Sequence, residues 1–126
     1  MATPRIEHVN ITVRDADRAA RLMGELFGWN VRWRGPALAG GRSIHVGSED
    51  QYLALYTPRE ATLTDEHFAK GRPLNHVGVA VEDIAEVEAK VLAAGLTPFN
   101  HDDYHPGRRF YFLDPDGIEY EVVSYR

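Results

Sequence analysis

The sequence predicts an α+β fold made of two βαβββ modules related by pseudo-twofold symmetry. The dipeptide His-Val begins at His8 and again at His76, 68 residues apart (76 − 8), and each copy leads at equal spacing to an aspartate, Asp15 or Asp83. Behind each aspartate come an apolar stripe of helical period and then three short strand-like runs. We therefore expect two like modules whose equivalent residues converge on one site.

Each module opens with a strand. Apolar and polar residues alternate with period two in both opening segments, the pattern of a strand with one buried face. The apolar faces are formed by Val9, Ile11 and Val13 in the first segment and by Val77, Val79 and Val81 in the second. These faces should lie under helices, whereas the faces that carry the histidines should line a polar or hollow space.

A helix follows each opening strand. Asp15 and Asp83 stand in N-cap positions, and Glu86 gives Asp83 a capping-box partner three residues on. Gly28 and Gly95 are placed to end the helices. The apolar stripes are Ala19, Leu22, Met23, Leu26 and Phe27 in the first helix, and Ile84, Val87, Val91 and Leu92 in the second. Both stripes are interpreted as core-facing.

Three short strands complete each module, at about 30–34, 43–47 and 51–57 and at about 97–101, 108–113 and 118–125. Turn-forming residues separate them, most clearly the run Asp-Pro-Asp-Gly at 114–117. The chain is thus interpreted as a single domain, residues 1–126. Module one covers about 5–57, and module two covers about 74–126. A connector at about 58–73 is expected to hold a short helix over 64–70.

The bulk composition excludes several classes of function. The chain has 14 basic and 19 acidic side chains, a formal charge of −5, which argues against nucleic acid or an anionic membrane as a partner. It has no cysteine, so disulfides and thiolate metal sites are impossible. No apolar run approaches the ~20 residues of a membrane span, and no signal-peptide pattern is visible. We expect a cytoplasmic protein that acts on a small molecule.

Aligning the last strands of the modules points to a metal site. The turns before these strands match at an offset of 67, so Glu121 corresponds to Ala54 (121 − 67 = 54). The repeat-related set is His8, Ala54, His76 and Glu121. A single strand histidine is more often a hydrogen-bonded core residue, but three ligand-type residues at related positions favour a divalent metal. Fe²⁺ is favoured, with Mn²⁺, Ni²⁺, Co²⁺ or Zn²⁺ as alternatives, for Lewis-acid chemistry or dioxygen activation.

Four motifs carry these residues. They are His-Val-x-Ile-x-Val-x-Asp from His8, Leu-Phe-Gly-Trp at the first helix end, His-Val-x-Val-x-Val-x-Asp from His76, and Phe-Tyr-Phe-Leu-Asp-Pro-Asp-Gly-x-x-x-Glu up to Glu121. Together they resemble the vicinal oxygen chelate superfamily of glyoxalases, bleomycin resistance proteins and extradiol dioxygenases. The resemblance covers nearly the whole chain. It implies a cupped mixed β-sheet with helices on its outer face, metal ligands at His8, His76 and Glu121, and a homodimer.

The resemblance also narrows the reaction. Glyoxalase I has a second glutamate where this chain has Ala54, so its usual activity is not expected. Fosfomycin-resistance enzymes use three protein ligands but have a threonine where this chain has Asn10. Extradiol dioxygenases have a tyrosine ten residues before the glutamate, which matches Tyr111, and an upstream His-x-x-x-His, which is similar to His101 and His105. We therefore lean towards an extradiol-type dioxygenase with Tyr111, His101 and His105 as candidate catalytic residues.

Candidate substrate-binding residues follow from strand parity and charge. Tyr52 and Tyr56 flank Ala54 and could stack a planar substrate, although they could equally be core aromatics. Arg108 or Arg109 could anchor a carboxylate or phosphate, against the simpler interpretation of surface charge. Asn10 shares the face of His8 and completes the set.

Three kinds of protein remain open. The first is the metal-dependent dioxygenase. The second is a glyoxalase-like lyase or isomerase, or a thiol transferase that modifies an antibiotic. The third is a metal-free drug-binding protein of the bleomycin-resistance type, which the presence of His8, His76 and Glu121 disfavours.

Overall fold

Two four-stranded mixed sheets, each with a helix packed on one face, form the computed structural model, which describes residues 5–59, 74–104 and 107–125. This arrangement confirms the predicted α+β class with paired βαβββ modules. The chain divides into two compact units, residues 1–62 and 63–126. The helix predicted over 64–70 lies outside the described residues.

The first unit contains β1 (His8–Thr12), α1 (Ala16–Phe27), β2 (Asn30–Pro36), β3 (Arg42–Gly47) and β4 (Tyr52–Thr57), with a short 3₁₀ turn at Leu38–Gly40. Its strands lie in the order β1-β4-β3-β2. β1 runs parallel to β4, and the other neighbours are antiparallel. α1 packs on β2, β3 and β4.

The second unit repeats this topology with β5 (Val77–Ala80), α2 (Ile84–Ala93), β6 (Phe99–Tyr104), β7 (Gly107–Leu113) and β8 (Glu119–Tyr125). Its strand order is β5-β8-β7-β6, again with one parallel pair, β5 and β8. α2 packs on β7 and β8. No helix among the described residues has the length and apolar character needed to cross a bilayer.

The predicted helix caps are confirmed. The Asp15 carboxylate accepts a hydrogen bond from the backbone N–H of Arg18 at 3.1 Å, and Asp83 accepts one from the N–H of Glu86 at 3.1 Å. Gly28 follows α1 with φ 70°, a left-handed conformation that glycine adopts without a steric penalty. The helix boundaries expected from the sequence therefore hold to within a residue or two.

The apolar stripes face the sheets as predicted, with one correction. In α2, Ile84, Val87 and Val91 are buried, but Leu92 is 59% exposed. The buried residues are spaced by three and four positions, so they form one narrow line along the helix. Leu92 lies about 100° around the helix from Val91 and misses that line.

Candidate functional site

The strand registers place Ala54 and Glu121 at equivalent positions of the two sheets. In the first sheet, Ala54 is paired with Asn10 on β1 and His45 on β3. In the second, Glu121 is paired with Gly78 on β5 and Tyr111 on β7. The alignment at offset 67 is therefore confirmed, and the missing carboxylate at position 54 is a true difference between the two units.

Glu121 and His76 meet on the second unit's sheet, on the face opposite α2. His76 Nε2 lies 3.0 Å from Glu121 Oε1, and the two side chains are 32% and 13% exposed. The other ring nitrogen, Nδ1, lies 2.9 Å from Asn75 Oδ1 and 3.6 Å from Glu119 Oε2. Both ring nitrogens therefore face an acceptor, Nδ1 the Asn75 amide oxygen and Nε2 the Glu121 carboxylate. A metal at Glu121 would take Nε2 as its ligand, with the ring proton kept on Nδ1.

This pair has the spacing of two metal ligands. Two donor atoms that bind one ion at about 2.1 Å and at a right angle are about 3.0 Å apart, and the His76–Glu121 separation is 3.0 Å. An imidazole nitrogen and a carboxylate oxygen also suit borderline divalent ions. Within residues 5–59, 74–104 and 107–125, no group of three or more His, Asp or Glu is gathered around one point. His8 belongs to the first unit, so its part in a three-ligand site stays a prediction.

Arg109 occupies the other side of the Glu121 carboxylate. Its Nη1 donates to Glu121 Oε2 at 3.0 Å, and the two side chains are only 15% and 13% exposed. The guanidinium carbon lies 4.7 Å from the ring centre of Tyr104. The Nε atom is buried and has no hydrogen-bond partner among the described residues. Burial opposes the charge of Arg109, but the Tyr104 and Glu121 oxygens outweigh it and raise the pKa of the guanidinium.

Tyr111 lies beside the same two residues. Its ring meets the His76 ring edge-on, with centroids 5.7 Å apart and planes at 87°. Burial, and then the nearby charge of Glu121, raise the pKa of the phenol above its ordinary value of 10.0. Tyr111 is therefore a phenol at neutral pH, able to donate a hydrogen bond but unable to act as a base.

His8 lies in an aromatic stack of the first unit. Its ring stacks on Tyr52 with centroids 4.9 Å apart, and Tyr52 stacks in turn on His45 at 4.7 Å. Nδ1 of His8 is 3.0 Å from Glu7 Oε1, and the guanidinium of Arg32 lies 4.4 Å above the Tyr52 ring. Burial lowers the pKa of His45, so this ring stays neutral. The strand alternation in the sequence is enough to place His45 on the same face of the sheet as Ala54, its cross-strand partner.

The other substrate-binding candidates of the first unit are spread along its sheet. Asn10 is exposed and directly opposite Ala54. Tyr56 is half-buried at the far end of β4, packed beside Gly41. Tyr52 and Tyr56 thus lie on either side of Ala54, as their parity predicted, but only Tyr52 contacts His8.

His101 is turned away from Tyr111. β6 contains a β-bulge, because Phe99 pairs with Tyr111 and Asp102 pairs with Arg109, so β6 has one more residue than β7 between these pairs. Asn100, within the bulge, has φ 52°. The extra residue reverses the parity, so the His101 ring lies 5.9 Å from buried Phe110 and its Nε2 lies 2.7 Å from Glu88 on α2. This geometry does not bring His101 to Tyr111 and gives no support to its predicted catalytic role. His105 lies outside the described residues.

Arg108 and Arg109 lie on opposite faces of β7. Arg108 is exposed and forms a long ion pair, 3.8 Å, with exposed Asp103. Arg109 points to Glu121. Of the two arginines proposed as anion-binding groups, only Arg109 is next to the predicted metal ligands.

A family model described as the glyoxalase/bleomycin resistance protein/dioxygenase superfamily matches residues 5–122. The chain belongs to this superfamily. The match spans both modules and includes His8, His76 and Glu121.

Three relatives illustrate the range of the superfamily. The chain is 28% identical over 120 residues to the glutathione transferase FosA of Serratia marcescens, covering 93% of this chain and 78% of that one. A glyoxylase/bleomycin resistance protein/dioxygenase domain from Frankia sp. EAN1pec has the same fold, with a TM-score of 0.83, 24% identity and coverage of 99% and 100%. The fosfomycin resistance protein FosX of Listeria monocytogenes, crystallised with Mn(II) and sulfate, matches with a TM-score of 0.72, 12% identity and coverage of 100% and 95%.

Proposed function

We propose that this protein is a divalent-metal-dependent enzyme that acts on a small molecule with adjacent oxygen atoms. The observation that carries the proposal is the 3.0 Å approach of His76 Nε2 to Glu121 Oε1 on a largely buried sheet face. His8 is the proposed third ligand. A metal held by these residues would act as a Lewis acid on a substrate oxygen.

The surrounding residues have distinct proposed roles. The Asn75 amide oxygen would accept from Nδ1 of His76 and orient its ring, as second-layer acceptors do behind metal-bound imidazoles, and the Glu119 carboxylate lies 3.6 Å from the same nitrogen. Tyr111 lies opposite Glu121 on the neighbouring strand and is a phenol at neutral pH, so it can donate to a substrate oxygen or supply a proton to it. The absence of a carboxylate at position 54 leaves room for two substrate oxygens.

The choice of metal rests on relatives and on ligand chemistry. The fosfomycin resistance protein FosX, which shares the fold, was crystallised with Mn(II). The two-histidine, one-carboxylate set also suits Fe²⁺, the ion that the sequence favours, and Ni²⁺, Co²⁺ or Zn²⁺.

Two reactions have support on this scaffold. Ring cleavage of a catechol is supported by Tyr111 beside Glu121. His101 gives this reaction no support, because its ring faces α2. Thiol transfer is supported by the 28% identity to a glutathione transferase. Both reactions need the same metal ligands, so the metal site is tested first.

Metal analysis of protein purified without chelator tests the site. After equilibration with excess Mn²⁺ we expect about one ion per chain in the wild type and its loss in His8→Ala, His76→Ala and Glu121→Ala. His101→Ala is the matched control and should keep the metal, because His101 lies on the α2 side of the sheet. A wild-type protein that binds no metal but binds planar drugs would contradict the proposal in favour of a drug-binding protein.

The reaction is then identified with the metal-loaded protein. Oxygen uptake on a panel of catechols after anaerobic Fe²⁺ loading would identify ring cleavage. Formation of a glutathione adduct of fosfomycin with Mn²⁺, detected by mass spectrometry, would identify thiol transfer. Tyr111→Phe should lower kcat in whichever assay responds, because it removes the phenolic proton.

A further inference from the structure

Arg109 places a positive charge directly beside the carboxylate that is the proposed metal ligand. Its guanidinium donates to Glu121 Oε2 at 3.0 Å, while Oε1 of the same carboxylate faces His76. Both partners of the ion pair are more than four-fifths buried. Little water therefore screens the arginine from an ion bound at Glu121.

The hydrogen-bonding capacity of the Arg109 side chain is also not fully used. Its Nε has no hydrogen-bond partner among the described residues, although the atom is buried. A buried donor without an acceptor is costly, and the cost disappears when an acceptor arrives. Guanidinium groups bind carboxylate, phosphate and phosphonate oxygens through paired N–H groups. The unused donor and the positive charge thus fit an oxyanion.

We propose that Arg109 couples metal binding to the binding of an oxyanion group on the substrate. Without substrate, Arg109 neutralises Glu121 and repels a divalent ion. A carboxylate or phosphonate that binds Arg109 cancels this charge and frees the carboxylate for the metal. Metal and anionic ligand therefore bind cooperatively, and each raises the affinity for the other by the same factor. The inference rests on the proposed metal site and adds the chemical class of its substrate.

The chain provides a matched control for the test. Arg108 is adjacent in sequence and has the same charge, but it is exposed on the other face of β7. Arg108→Gln and Arg109→Gln therefore change the net charge equally, and only Arg109→Gln removes the cation beside Glu121. Arg109→Lys keeps the charge and serves as a second variant should the glutamine protein unfold.

The experiment measures Mn²⁺ affinity by the EPR signal of free Mn²⁺ at fixed pH and ionic strength, with and without methylphosphonate. In the wild type and in Arg108→Gln, methylphosphonate should tighten Mn²⁺ binding by about fivefold or more, the lower end of typical coupling. Arg109→Gln should bind Mn²⁺ more tightly than the wild type without the anion and should not respond to methylphosphonate. Arg109→Lys keeps the positive charge beside Glu121, so in the absence of methylphosphonate it should bind Mn²⁺ as weakly as the wild type. Acetate replaces methylphosphonate in a parallel series to separate carboxylate from phosphonate ligands.

The outcomes separate this inference from the proposed function. Mn²⁺ binding that is equally tight in Arg109→Gln and the wild type, or an equal response of both to the anion, would overturn the role of Arg109 and leave the metal site standing. Failure of every protein to bind Mn²⁺ would overturn the metal site and the coupling together.

Discussion

At the scale of single residues, the two units carry different side chains at equivalent positions in the middle of their sheets. Ala54 and His45 in the first sheet correspond to Glu121 and Tyr111 in the second. Beside Ala54 the His45 ring stacks on Tyr52, whereas Glu121 forms a hydrogen-bonded ion pair with Arg109. One copy of the repeat thus carries a carboxylate at this position, and the other carries a small side chain beside stacked rings.

A residue-scale prediction concerns Asp114. Its buried carboxylate accepts from the backbone N–H groups of Asp116 at 2.8 Å and Ile118 at 2.9 Å, and so holds the turn before β8. Asp114→Ala should lower the free energy of unfolding by about 1.5–3 kcal/mol, because two buried N–H groups lose a charged acceptor. Urea unfolding measures the change. The exposed Asp103→Ala is the control, and an equal loss in both variants would contradict this role of Asp114.

At the scale of elements, hairpins and a bulge decide which side chains share a face. The β6 bulge at Asn100 moves His101 to the α2 side, and the tight β3–β4 hairpin brings His45 and Tyr52 into contact. The hairpin leaves no room for a side chain at Gly47, where an added Cβ would collide with the Gln51 carbonyl and Tyr52.

Gly47→Ala should therefore destabilise the protein, by about 1–3 kcal/mol or more, as overpacking does. Thermal or urea unfolding would measure it. Gly78→Ala on β5 is the matched control, since an added Cβ there meets nothing within 4 Å. If the two variants were equally stable, the close approach at Gly47 would not be a constraint.

A second element-scale prediction concerns the contact of α1 with β3. Arg42 donates to both carboxylate oxygens of Asp17, at 2.9 and 3.0 Å, and these hydrogen bonds are the main reason that the pKa of Asp17 is lowered from 3.8. A lowered carboxyl pKa stabilises the fold above the ordinary value, and this stabilisation is lost as pH falls through the lowered one. Both side chains are 43% exposed, so solvent screening limits the effect.

Asp17→Asn should thus cost about 0.5–1 kcal/mol at pH 7, and the difference from the wild type should shrink as pH falls below 3.8. Unfolding free energies measured across this pH range test the prediction. Asp50→Asn, in the more exposed Arg5–Asp50 pair at 3.5 Å, should have a smaller effect. A difference that grew at acidic pH would contradict the assigned sign.

At the scale of the whole molecule, the two outer strands of each sheet pair with a neighbouring strand on one side only, among the residues that the structure describes. β1 and β2 flank the first sheet, and β5 and β6 flank the second. Edge strands of this kind pair with further strands or need cover. The homodimer that the resemblance implies stays a prediction.

We expect light scattering after size exclusion to give about twice the chain mass of 14.2 kDa. A concentration series down to the low micromolar range would detect dissociation. A monomer at all concentrations would contradict the predicted dimer and would require every site to be built from one chain.

The repeat alone determined the order of the helices and strands along this chain, because alternation, N-cap aspartates and turn residues act locally and appear directly in the sequence. It also identified Glu121 and Ala54 as equivalent positions, since register follows from matched turns. Only the tertiary structure decided the environment of Glu121. The Arg109 ion pair depends on a cross-strand neighbour, and the position of His101 depends on one extra residue in β6 that reverses its parity. Both are contacts between distant segments, and no local pattern encodes them.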